Sequence, residues 1–199
     1  MSIRREILLI IVLIFVIALL VKVVEFFRTD VVEADASNFV LEDLKSKYPD
    51  ADLEIMSITN KYNPLGSHYF EVKARVTEGA ETACPERSHI FYNYPAQNFI
   101  AQPTEAITRN CNVCTEGICT IAFSEEAIIA SHKLSGTYVI QAYLNVYPDA
   151  VPTISEKAES WIVKWDSKTA QNYYLVEIHR NGTIMQVKDL NKNGTAVAN

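Results

Sequence analysis

The sequence predicts an α+β protein: an N-terminal transmembrane helix followed by two small units, each a helix set against an antiparallel sheet. Three observations predict it. Ile7–Val21 contains no charged or hydrogen-bonding side chain. The motif Leu44-Lys-Ser-Lys-Tyr48-Pro-Asp-Ala51 recurs as Leu144-Asn-Val-Tyr147-Pro-Asp-Ala150, with one residue fewer between Leu and Tyr. Each copy is followed by short runs in which β-branched and aromatic residues alternate with polar ones, the period of a half-buried strand.

The apolar stretch at the start reaches Phe27, interrupted only by Lys22 and Glu25. At about 1.5 Å per helical residue, about 20 residues cross a hydrocarbon core about 30 Å thick. Residues 1–28 are therefore expected to be an anchor that meets membrane lipid through residues 7–27. Lys22 and Arg28 suit its far end, where long basic side chains reach for headgroups. Arg4 and Arg5 favour a cytoplasmic amino end. The expected localisation is thus the cell membrane, single-pass, with an extracytoplasmic carboxyl-terminal domain. A cleaved signal peptide is the rival. Ala34-Asp35-Ala36 has the small-x-small form, but it lies beyond Lys22, Glu25, Arg28 and Asp30, too far and too charged for the usual processing geometry.

The first unit is expected over residues 34–94. Ser37 can cap a helix that runs to Tyr48 and is stopped by Pro49, with Val40, Leu41, Leu44 and Tyr48 on one side. Strands are expected at Leu53–Thr59, His68–Val76 and Ser88–Tyr94. In the middle strand Phe70, Val72, Ala74 and Val76 share one face and Tyr69, Glu71, Lys73 and Arg75 the other. Residues 95–123, with Pro95, Pro103 and three cysteines, read as a linker with its own cross-links.

The second unit is expected over residues 124–190. Ser124, Glu125 and Glu126 suit a helix start, where the macrodipole favours acids. Ser135-Gly136 either kinks or ends that helix. Thr137–Tyr147 is rich in β-branched and aromatic residues, which leaves strand open, but the repeat sets it opposite the first helix and predicts helix. Strands are expected at Trp161–Trp165, Tyr173–His179 and Thr183–Val187. Trp161, Val163 and Trp165 share a face expected to pack on the helix. Asn181-Gly182 predicts a two-residue type I′ hairpin. Residues 191–199 are small and polar and are expected to fray.

Cys84, Cys111, Cys114 and Cys119 all lie beyond the apolar run. In an oxidising compartment they are expected to form two disulfides, in any of three pairings. A four-thiolate zinc site is the alternative, with a sound C-x-x-C half but no second knuckle. A redox-active C-x-x-C is a third reading, although Cys111 has no basic neighbour beyond Arg109 and no βαβ setting.

Setting aside Arg4, Arg5, Lys22, Arg28, Glu6 and Glu25 leaves 14 basic and 22 acidic residues, a balance that repels phosphate backbones and argues against nucleic acid as a partner. Ten Tyr and eight Phe argue against disorder. His68, His89, His132 and His179 show no ligand spacing and read as surface or strand-end histidines. No G-x-S-x-G, P-loop or dinucleotide fingerprint is present, and the carboxylates Glu125-Glu126 and Asp50/Asp52 read as helix-start and turn residues. No catalytic residue and no cofactor are therefore expected. Asn181-Gly-Thr183 and Asn193-Gly-Thr195 match the N-glycosylation pattern, making Asn181 and Asn193 candidate glycan sites.

Trp161-Ile-Val-Lys-Trp165, Tyr173-Tyr-Leu-Val-Glu-Ile178 and Asn181-Gly-Thr-Ile184, together with the anchor and the doubled helix-plus-strands pattern, resemble membrane-anchored proteins with tandem PepSY domains. The resemblance covers roughly Ser37–Asp189. The cysteine-bearing linker and the long connection Thr77–Arg87 depart from the family pattern. The resemblance implies a cystatin-like fold, an antiparallel sheet curled on a helix. It also implies a non-catalytic extracytoplasmic module that binds or restrains another envelope protein. Two other functions remain open at this point: a structural subunit of a membrane or pilus-like surface assembly, and an envelope thiol or metal protein using Cys111 and Cys114.

Overall fold

The structure, a computed structural model, describes residues 3–26, 32–97, 102–114 and 119–192; within the first helix it describes side chains only from Val12 to Val23. Among the described residues the elements are α1 (Ile3–Phe26), α2 (Glu33–Lys47), β1 (Asp52–Tyr62), β2 (His68–Glu78), β3 (Glu86–Tyr94), β4 (Glu105–Ala106), α3 (Ser124–Lys133), α4 (Tyr138–Val146), β5 (Val151–Glu156), β6 (Ser160–Asp166), β7 (Asn172–His179) and β8 (Ile184–Asn191). They form two antiparallel sheets, ordered β1-β2-β3-β4 and β5-β6-β7-β8.

Among the described residues no helix is long and apolar enough to cross a membrane. This corrects the expected N-terminal transmembrane helix, and with it the single-pass placement in the cell membrane with an extracytoplasmic domain. Of the expected span, the side chains of Val12–Val23 are described. The rest of the expected span, Ile7–Ile11 and Val24–Phe27, lies outside the residues whose side chains are described.

The first unit packs α2 on one face of its sheet. Ala36, Val40 and Leu44, at helical spacing, are fully buried against Phe70, Val72, Ala74 and Val76. The helix begins at Glu33 rather than at Ser37, with Glu33 and Asp35 in its first turn, where acids complement the macrodipole. Ala34-Asp35-Ala36 therefore lies inside a helix, and Ala36 is part of the core.

The second unit divides the corresponding helix. Gly136, at φ +93°, takes the left-handed turn between α3 and α4 that a side chain would resist. The repeated motif folds alike in both units. Tyr48 N–H donates to Leu44 O (2.7 Å) and Ala51 N–H to Tyr48 O (3.3 Å); Tyr147 N–H donates to Tyr143 O (2.8 Å) and Ala150 N–H to Tyr147 O (3.1 Å). Each Tyr closes a helix and each Pro keeps it from continuing.

The strand after the second copy, β5, was not among the sequence expectations. Pro152 reads as a strand breaker, yet an edge strand tolerates it because one side of its backbone needs no partner. Trp161, Val163 and Trp165 face the core as expected, packed with Ala127, Ile128 and Tyr143. Trp161 Nε1–H donates to Ile121 O (3.1 Å) and Trp165 Nε1–H to Ser131 Oγ (2.8 Å), so both polar tips are satisfied.

The hairpin between β7 and β8 forms, but with a different turn. Gly182 N–H donates to His179 O, and only Gly182, not Asn181, has positive φ (+81°). This is the three-residue loop in which a left-handed glycine forms the bulge, not a type I′ turn. The Cys114–Cys119 disulfide lies directly against the open side of Gly182, where any Cβ would overlap Cys119 Sγ.

Candidate functional site

The outer side of β3 is incompletely paired. β4 meets only Ser88 and His89, so among the described residues Ile90–Tyr94 have no strand partner on that side. Exposed sheet edges normally carry charges, prolines or bulges that discourage further pairing. The other edges do. β1 has Asp52, Glu54, Lys61 and a register shift between Ile55 and Ser57; β5 has Pro152 and Glu156; β8 has Lys188 and Asp189. Ile90-Phe-Tyr-Asn-Tyr94 has none of these.

A cleft of about 300 Å³ runs beside this edge, lined among others by Lys47, Phe91, Tyr92, Asn93, Gln97 and Gln102. Its groups are largely held in place. Tyr92 O–H donates to Asp43 (2.5 Å), and Lys47 pairs with the same carboxylate (2.6 Å). The hydrogen bonds from Lys47 and Tyr92 hold Asp43 below the usual carboxylate range, while burial and Asp43 push the Tyr92 phenol well up, so it stays a donor. Gln97 accepts from Asn63 Nδ2 (2.9 Å) and donates to Pro95 O (2.8 Å). Asn93 Oδ1, by contrast, is buried without a partner. A buried acceptor without a donor is costly and uncommon. The cleft thus offers open main chain and aromatic rings, groups suited to holding a peptide.

A buried polar seam joins the two units behind this site. Arg87 and Thr77 lie on the face of the first sheet away from α2, and Glu125 opens α3. Arg87 Nη1 meets Glu125 Oε2 at 3.0 Å with both side chains buried, and Thr77 O–H donates to Glu125 Oε1 at 2.9 Å. Arg87 stacks over Phe123, 4.0 Å from its ring centre, and donates Nε–H to His89 Nε2 (3.1 Å). His89 Nε2 is therefore the acceptor, and Nδ1–H faces Glu105 (3.1 Å). Burial, together with Lys73 and Arg87, outweighs Glu105 and keeps His89 below its ordinary value. Burial opposes the charge on Glu125, but its backbone hydrogen bond, Arg87 and Thr77 prevail and hold it ionised below the usual range.

The structure pairs Cys84 with Cys111 and Cys114 with Cys119. Cys111 and Cys114 thus belong to different bonds, and the four sulfurs are committed in pairs rather than gathered as one four-thiolate set. His132 is buried at the last turn of α3, with Nε2 3.6 Å from Cys111 Sγ. His68 stacks edge-on against Phe70 (4.7 Å between ring centres), and His179 Nδ1 accepts from Asn181 N–H (3.1 Å). Asn181 is exposed, and its Oδ1 accepts from Thr183 N–H (3.0 Å). Asn193 lies outside the described residues.

Glu125 was read from the sequence as a helix-start residue only. Its partners Arg87 and Thr77 were missed, as was the β3 edge. A usable signal for the edge exists: five consecutive uncharged residues, three of them aromatic, at the end of a strand. Comparison with known proteins finds no matching family model, no matching curated protein and no matching solved structure.

Proposed function

We propose that this chain is a non-catalytic binding and regulatory module that captures an extended segment of a partner protein along the outer side of β3. The observation that carries this reading is the uncharged stretch Ile90–Tyr94 beside the cleft, which among the described residues has no strand partner on its outer side. Addition of a strand would satisfy the open main chain, and the aromatic rings would supply side-chain selectivity. The resemblance to PepSY modules points the same way, since that family's role is to bind or restrain another protein. The buried Arg87–Glu125 pair fastens the start of β3 to α3, so the strand is already formed before a partner arrives, which lowers the ordering cost of binding.

The test is selection of peptides from a random display library on the full chain. Selected peptides should bind the wild type and lose about tenfold in affinity, about 1.4 kcal/mol, when Asn93→Lys places a charge in the edge. Thr153→Lys on β5 should leave affinity unchanged. Equal binding to all three proteins would refute the assignment of the site.

A further inference from the structure

The Cys84–Cys111 bond ties the β2–β3 connection to the segment that leads into α3, and the His132 ring sits beside it, only 5% exposed. His132 Nδ1 lies 3.0 Å from the carbonyl oxygen of Ile128, which can only accept. Nδ1 therefore carries the ring proton, and Nε2 carries a lone pair aimed at Cys111 Sγ, 3.6 Å away. A disulfide sulfur has no hydrogen to donate. In the oxidised protein this buried acceptor faces the bond without a donor there, although buried polar atoms nearly always have one. The two Sγ atoms and Nε2 lie within 4.8 Å of one another.

We propose that reduction of the Cys84–Cys111 bond turns this cluster into a zinc site, with two thiolates from Cys84 and Cys111, Nε2 of His132, and a fourth position open to water. The ligand types fit. Zinc takes Cys sulfur at about 2.3 Å and His nitrogen at about 2.0–2.1 Å in tetrahedral geometry, and it needs the imidazole neutral at the ligating nitrogen. The Nδ1–H bond to the Ile128 carbonyl is the kind of outer contact that fixes the tautomer and the ring orientation of a zinc-bound histidine. Cys84 is exposed, which gives a reductant and the ion a way in.

The chemistry balances. A dithiol gives two electrons and two protons to the sulfurs and leaves as its own disulfide; the S–S bond breaks and two thiols form. Zinc binding then releases those two protons to solvent as the thiols become thiolates. The oxidised state joins two segments covalently, and the reduced, metal-bound state holds those two and α3 through the ion. The cluster is thus a switch between a sulfur–sulfur bond and a metal bridge.

The experiment uses the full chain with Cys114→Ser and Cys119→Ser, so that only the proposed thiols remain. A phosphine reduces the bond, leaving as phosphine oxide with water supplying the oxygen and both protons. Zinc is then titrated against a chromophoric chelator. The reduced protein should bind one zinc per chain and the unreduced protein none. His132→Gln should weaken binding by on the order of 100-fold, at least the loss seen when an outer-shell partner is removed. Absence of zinc binding after reduction, or binding unchanged by His132→Gln, overturns the proposal. If His132→Gln does not fold, nitrogen-15 NMR of the reduced His132 ring decides. A large shift of Nε2 on zinc addition supports the site, and an unmoved Nε2 overturns it.

Discussion

The two units share a plan and differ in where their large aromatic side chains stand. In the second unit Trp161 and Trp165 lie on β6, an inner strand, covered by α3 and α4 with their N–H groups satisfied. In the first unit the core under α2 is made of Ala36, Val40, Leu44, Val72, Ala74, Val76 and a single buried aromatic, Phe70, with no tryptophan. Phe91, Tyr92 and Tyr94 stand half-buried on β3, Tyr92 and Tyr94 against the rim of that core, and among the described residues most of the outer side of β3 has no strand partner. The same helix, Tyr-Pro-Asp-Ala turn and antiparallel sheet can therefore place aromatic surface under the helices or along an edge strand. The difference predicts unequal responses to equivalent changes.

The largest effect should come from the second unit. Trp165→Ala removes a fully buried ring and leaves Ser131 without its donor, and should cost about 3–5 kcal/mol in denaturant unfolding. Phe91→Ala on the open strand should cost clearly less. Comparable losses would remove the distinction between core and edge aromatics. Next is the seam. Arg87→Ala strands the Glu125 carboxylate in a buried site and should cost about 3–5 kcal/mol, whereas pairing Arg87→Met with Glu125→Leu should recover much of it. A double variant as unstable as the single one would mean that the seam contributes more than mutual neutralisation.

Cross-links should follow loop size. Cys84 and Cys111 are 27 residues apart and Cys114 and Cys119 only five. Replacing the first pair by Ser should cost about 3.5 kcal/mol and the second about 2 kcal/mol in the chain-entropy account. Unfolding curves for the two variants check the order, and alkylation without reductant should label no cysteine.

The smallest effect is the pH response of the seam. Burial lowers the folded-state value of His89 below its ordinary 6.5, with Lys73 and Arg87 opposing its charge and Glu105 favouring it. A histidine held neutral contributes stability in full above that ordinary value and loses it as pH falls through the lowered folded-state value. Unfolding free energy should therefore decline on acidification from neutral toward about pH 5 less steeply in His89→Gln than in the wild type. Parallel declines would mean that His89 does not titrate with folding.

Much of the fold was legible because both periodicities are strong. Phe70, Val72, Ala74 and Val76 alternate cleanly, and Trp161, Val163 and Trp165 do the same. The repeated Tyr-Pro-Asp-Ala set Thr137–Tyr147 in a helix against its own β-branched composition. β5 was hidden by Pro152, whose meaning depends on an edge position that only the sheet order reveals. The start of α2 was misplaced because Ser37 is a good cap in isolation, while Glu33 and Asp35 already serve the first turn. The site was less legible. Arg87, His89 and Glu105 meet through β3 and its short pairing with β4, and Glu125 joins them through the placing of α3 beside the first sheet, a contact that no local pattern encodes. The expected transmembrane anchor rested on the length of the apolar run and its basic flanks, and among the described residues no helix is long and apolar enough to cross a membrane.

The central claim is that the outer side of β3 is the binding edge and that the edges of the second sheet are not. Amide hydrogen exchange on the full chain, free and saturated with a selected peptide, tests it most directly. Protection should rise within Ile90–Tyr94 on binding while β5 and β8 stay unchanged. Protection gained along β5 or β8, with Ile90–Tyr94 unaltered, would contradict it.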